Sequence, residues 1–386
     1  MKNGAAVLIL IATVSCTTGG SAGSGGNPPP SIAFALPPQW TETFTREPTL
    51  PEPTVSSARE QTLPGQPAET EPTGDLDGAA VFEKVVTLDA DGEPVVGIDY
   101  SPKWGLLVSI SDRGVVRLWD TDDGTLLVLR ETDSRGWASI LLDPDADFFV
   151  LGLDEMIEIR SAETAEIIRA YTDNLIHHLL GMAFFPDRQL MAVTGEYGLQ
   201  LFAGVSKDPA VRPKRLDTYF EAKAATRPVF NPEGTKLGYG GTFNGQSVLH
   251  ISNVDYCADG FCFNGGEGGT LYGRYGSIVD LQFSAAGWLA VAGETAVAVY
   301  DESRREIAKA EVPNLAGISL VGDDTLLVCS TSDGRLILLR FPELERLGEA
   351  EAHQGPIRQL VYHAGRDKFA TAGEDGKVVL WKIAVA

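Results

Sequence analysis

From residue 81 onward, apolar and polar residues alternate in short runs, broken by turns rich in Gly, Asp, Asn and Pro. Period-two alternation of that length predicts β-strands. The final stretch, 353–383, shows the unit most clearly. A His353-Gln354-Gly355-Pro356 opening leads into a run through Ile357, Gln359 and Val361. A turn at 365–367 is followed by a run around Phe369 and Thr371. An Asp375-Gly376 turn then precedes a run closed by Trp381. Three short strands in one small sheet cannot cover their own faces, so the unit needs neighbours of its own kind.

The chain supplies them. Residues at the place of Trp381 recur as Leu339, Tyr300, Ser252, Phe202, Arg160 and Trp119. A turn one strand earlier recurs as 101–105, 143–147, 185–189, 231–235, 284–288, 321–325 and 363–367. Both columns step by roughly 40 residues, the spacing of four-stranded propeller blades. The fold expected is therefore all-β: a seven-bladed β-propeller of four-stranded antiparallel blades over 81–386. Because 88–100 aligns with 350–362, the strand pattern at 81–88 is expected to complete the last blade and close the ring, hiding a sheet edge. Residues 301–312, DESRREIAKAEV, have helical propensity, but the repeat places them as the outer strand of the fifth blade.

At these residues the chain resembles the WD-repeat family of β-propellers, strongly in the first and last blades and weakly between. The resemblance implies a side-chain lock in each blade, here His353, Thr371, Asp375 and Trp381. The first blade retains Ser109 and Trp119, with Asp91 at the position of the His. It also implies binding of other proteins without chemistry.

Ahead of the repeats, residues 1–15 hold one Lys and an apolar core from Ala5 to Ala12, too short to cross a bilayer and patterned as a signal peptide. TVSC at 13–16 resembles the cleavage box of bacterial lipoproteins, which implies acyl chains on Cys16 and, with Thr17 next, outer-membrane sorting in a Gram-negative cell. Thr13 departs from the Leu usual there, and an ordinary secretory signal is the alternative. Residues 16–80 carry half of the chain's 22 prolines amid Gly, Ser, Thr and Glu; they are expected to form a disordered tether, since that composition cannot bury a core.

Charge narrows the partners. With 31 basic and 53 acidic side chains the net charge is −22, which argues against nucleic acid, where phosphate contacts need clustered Lys and Arg. Solubility is the plain reading of the charge; recruitment of a basic partner is the other. Two segments, one before the fourth blade and one after its third strand, are longer than the repeat requires. In 206–227 the basic residues Lys207, Arg212, Lys214 and Arg215 and the aromatic Tyr219 stand out. In 255–276 Phe261, Phe263, Tyr272 and Tyr275 do. Extra length on a rigid scaffold is where binding residues tend to sit, so both are candidate partner-contact loops, against the alternative of drifted, solvated loop. Cys257 and Cys262 are expected to form a disulfide in an exported protein, and Cys329 reads as a buried thiol.

Catalytic and metal patterns do not assemble. The Asp-rich turns at 120–124 and 143–147 lack the spacing of a twelve-residue calcium loop. His177 and His178 have no neighbouring Cys or Glu to complete a metal set, and GGSAG at 19–23 lacks the strand–turn–helix setting of a nucleophile elbow. No cofactor, metal or enzyme activity is expected. The expected protein is a monomeric envelope scaffold, held to the membrane by its acyl chains and binding other envelope proteins. A small-ligand or carbohydrate receptor, or an enzyme with a central-channel site, are the alternatives.

Overall fold

The structure is a computed structural model. It describes residues 80–385 apart from short stretches at 102, 133–135, 137, 144, 154, 173–178, 187–189, 197, 209–210, 212, 220–222, 225, 244–245, 258–259, 273–275 and 364–367; at 80, 217–219, 223–224, 243, 255–257, 260–272 and 385 it describes the backbone. Seven antiparallel sheets follow one another along the chain. In the first, Val95–Ser101 is innermost, then Leu106–Ser111, Val115–Asp120 and Leu126–Glu131. The other blades repeat this order. Every turn of the 101–105 column joins a first to a second strand, and every residue of the Trp381 column lies in a third strand. Each pairs with an apolar second-strand residue, for example Trp119 with Leu107, Phe202 with Met191 and Trp381 with Phe369.

The seventh blade is finished by the front of the chain. Ala80–Asp89 pairs antiparallel with Lys377–Val385, from Ala80 opposite Val385 to Asp89 opposite Lys377. Phe82 lies edge-on to Phe369 and Trp381, at centroid distances of 6.0 and 6.3 Å. Closure is also visible in the core. Each of seven apolar clusters is shared by two successive blades. One of them joins Tyr100, Leu107 and Trp119 of the first blade to Val361, Ala370 and Leu380 of the seventh. Without that contact the two end blades would each expose an apolar face.

Residues 301–312 contain an outer strand, Glu306–Glu311, paired with Ala296–Tyr300. Pairing with the sheet overrides the local helical preference.

Two expectations are corrected around the fourth blade. Within 206–227, Lys214–Tyr219 is the outer strand of the third blade, paired with Leu199–Ala203, and not inserted loop. Its basic start, with Lys214 exposed, suits an edge strand. Within 255–276, Gly260–Tyr272 is a thirteen-residue strand paired along Gln246–Cys257. Backbone pairing carries this strand, so its glycines do not prevent it. The innermost strand of the same blade is split into Lys223–Ala224 and Val229–Phe230, both paired with Lys236–Phe243. The split falls beside Pro228, which has no N–H to donate.

Candidate functional site

In the seventh blade the lock is a continuous hydrogen-bonded chain. Trp381 Nε1 donates to Thr371 Oγ1 at 2.8 Å, and His353 Nε2 lies 2.8 Å from the same oxygen. His353 Nδ1 lies 3.0 Å from Asp375 Oδ1. A carboxylate only accepts, so Nδ1 carries the proton and Nε2 accepts from the Thr371 hydroxyl. Asp375 also receives the backbone N–H groups of Gln354 and Lys377. Burial pulls the His353 pKa below its ordinary value, more than Asp375 restores it. Burial acts in the opposite sense on Asp375, but its backbone donors and His353 outweigh it and hold the carboxyl below the usual range. Gly373 makes the room: a Cβ there would stand 2.4 Å from His353 Nδ1.

The same positions are rebuilt differently elsewhere. Trp119 Nε1 donates to Ser109 Oγ at 2.8 Å. Asp91, in the place of the His, pairs at 3.3 Å with the buried Arg117, which Glu93 also contacts at 3.3 Å. In the second blade Arg160 stands in the Trp column. Its guanidinium is held by Glu158 at 2.6 Å and by the Ala165 carbonyl at 2.7 Å. In the sixth, the pair is Leu339 with Cys329, wholly apolar, and burial pushes the Cys329 thiol up to about 12. Registers that pair Ser109 with Arg117 and Cys329 with Ile337 put Cys329 in the Ser/Thr column. Arg117, Glu93 and Glu158 were not singled out from sequence; for Arg117 and Glu158 a charged residue in an otherwise apolar third strand was the available signal.

A second set of polar contacts runs around the central channel, blade to blade. Asp99 accepts Tyr100 N–H at 2.8 Å and, from the next blade, Leu142 N–H at 2.7 Å; His363 Nε2 lies 2.7 Å from it. Asp280 accepts Leu281 and Ile318 N–H at 2.9 and 3.0 Å and pairs with Arg227 at 3.3 Å. Gln359 Oε1 accepts Ile98 N–H, and Gln282 Oε1 accepts Leu320 N–H. Burial depresses the His363 imidazole, and the charge and hydrogen bond of Asp99 more than offset it, so its pKa is raised.

The candidate contact residues are dispersed. Lys207 is exposed and bonded to Asp147 of the second blade at 2.5 Å. Lys214, Arg215 and Tyr219 lie on the outer strand of the third blade, and Phe261, Phe263 and Tyr272 on that of the fourth. Arg212, Tyr275, His177, His178 and everything before residue 80, Cys16 included, lie outside the described residues. Cys257 stands opposite Gly260 and Cys262 opposite Asp255. The two cysteines are thus diagonal neighbours, about 7–8 Å apart, beyond the Cα separation a disulfide usually spans; this register does not support the disulfide expected from their spacing.

A further exposed surface went unnoticed in the sequence. The outer strand of the first blade reads LLVLRE, with Leu126, Leu127 and Leu129 exposed, while its counterparts EIAKAE and RLGEAE are charged. Ile167, 50% exposed, stands on the outer strand of the second blade, and Trp104, 59% exposed, in a turn of the first. The run of Leu and Val at an unpaired edge was the signal. Among the described residues no group of three or more His, Cys, Asp or Glu is arranged to hold a metal ion.

Residues 344–382, the last strand of the sixth blade and most of the seventh, match the family model of the WD domain, G-beta repeat. Set on a ring of seven four-stranded blades, that match supports a WD-repeat propeller, a fold that commonly serves as a protein-interaction scaffold. No curated protein matches the chain.

Proposed function

We propose that this chain is a non-catalytic protein-interaction scaffold of the bacterial envelope, exported through residues 1–15 and anchored by acyl chains on Cys16. The WD-repeat match on a closed seven-bladed ring carries the scaffold part. A ring whose blades are stapled to one another offers partners a stiff surface at little ordering cost. Its partners are other envelope proteins, and the apolar edge at 126–131 with Ile167 is a favoured contact surface, since monomeric proteins rarely leave such a strand uncovered. The lipoprotein part rests on the TVSC box alone.

A photo-reactive residue at Leu127, introduced in cells, tests the scaffold. A discrete protein adduct that is lost in Leu129→Glu supports it; no adduct, or the same adducts from a probe at Ile307, contradicts it. Mass analysis of the mature N-terminus tests the anchor. An acylated cysteine is the expected start, and an unmodified one overturns it.

A further inference from the structure

The contacts around the channel leave an asymmetry. The oxygens of Asp99, Asp280, Gln282 and Gln359 each accept a backbone N–H, most of them from a neighbouring blade. What the channel side chains still offer is mainly donors: the amide NH2 groups of Gln282 and Gln359 and the part of the Arg227 guanidinium that Asp280 does not engage, while His363, whose Nε2 faces Asp99, also lines the wall. All four residues line one cavity of about 490 Å³. That is a volume typical of small-molecule sites. Most of the remaining wall is apolar, with the rings of Phe184, Phe230 and Phe283 among it.

The fold sets Arg227 at this place by two local devices. Its strand is interrupted beside Pro228, and its backbone sits against Gly181 of the preceding blade, where a Cβ would stand 2.6 Å from the Arg227 Cα. A third of the side chain remains exposed to the channel.

We propose that the central channel binds a small organic carboxylate with a flat apolar body. Its carboxylate accepts from Arg227 and the amides of Gln282 and Gln359, and its body packs on the phenylalanine rings. Charge decides between this ligand and a neutral one. The protein's net charge of −22 repels anions at long range, but that field decays over about 8 Å at physiological ionic strength. Inside the channel the carboxylates of Asp99 and Asp280 are already met by His363, Arg227 and backbone N–H groups, and the donors left over favour a carboxylate, because charge-assisted hydrogen bonds are the strong ones. This site is independent of the scaffold reading and of the outer edge of the ring.

Naphthalene-2-carboxylate is a suitable probe, titrated calorimetrically into the full chain, with naphthalene-2-methanol as its neutral counterpart. The expected result is saturable one-to-one binding of the carboxylate, weakened about tenfold or more in Arg227→Gln, the change that loss of a charge-assisted bond implies. The methanol binds more weakly and is indifferent to that substitution. Ala183→Trp, which fills the cavity from a wall position that carries no hydrogen-bonding group, abolishes binding of both while the protein still melts cooperatively. Failure of the carboxylate to saturate wild-type protein at millimolar concentration overturns the proposal. So does unchanged affinity in the cavity-filling variant.

Discussion

Thr371→Val tests the reading of the lock most sharply. The substitution keeps the shape of a side chain with no exposed surface and removes one oxygen. That oxygen accepts from Trp381 Nε1 and donates to His353 Nε2, both at 2.8 Å. Two buried groups therefore lose their partner at once. Each orphaned group costs about 1–3 kcal/mol, so a loss of about 3 kcal/mol is expected. In a domain of about 300 residues this lowers the melting temperature by about 5 °C. Ser109→Ala orphans only Trp119 Nε1 and should cost about half as much. Thr371→Ser keeps the hydroxyl and should lose less than Thr371→Val. Calorimetric melts of the three variants check this order. If Thr371→Val melts with the wild type, or above Ser109→Ala, the hydrogen-bonded chain is not what holds this blade.

Deleting residues 80–89 strips the fourth strand from the seventh blade and should lower the melting temperature sharply; Phe82→Ala alone should cost about 3 kcal/mol through lost contact with Phe369 and Trp381. The two channel and lock histidines bend the pH dependence of stability in opposite senses. His353 titrates below 6.5 in the fold, so the unfolded chain protonates first and stability falls as pH drops below about 6.5; urea melts of His353→Gln should lack that acid-side loss. His363 titrates above 6.5, so its contribution is full below 6.5 and disappears as pH rises through its folded value, a loss absent from His363→Gln. Cys329, buried and held as a thiol, should be inert to a thiol reagent until urea unfolds the chain; rapid native-state labelling at Cys329 would contradict its place in the core.

The ring was legible in the sequence because its signals are local. A first-to-second-strand turn needs particular residues at fixed offsets, and the third strand ends a roughly fixed distance after it, opposite an apolar residue of the second strand. Both repeat whether or not the lock survives, which is why Arg160, Ser252 and Leu339 could be placed in the same column as Trp381. The His353–Thr371–Asp375–Trp381 set was legible through its resemblance to a known repeat. The channel contacts were not, since Asp99 meets His363 and Gln359 meets Ile98 only after the ring has closed on itself. The long segments around the fourth blade were misread as loops for a related reason. Lys214–Tyr219 and Gly260–Tyr272 gain their strand character from the neighbours they pair with, and neither composition advertises it.

Hydrogen exchange at residues 82–88 tests closure of the ring most directly. Those of their amides that donate into the ladder with 377–385 should be protected and open together with 378–384 in one cooperative step, because the two segments form a single ladder. Exchange of 82–88 at the rate of a free peptide, with 378–384 still protected, would show a ring left open at its seam.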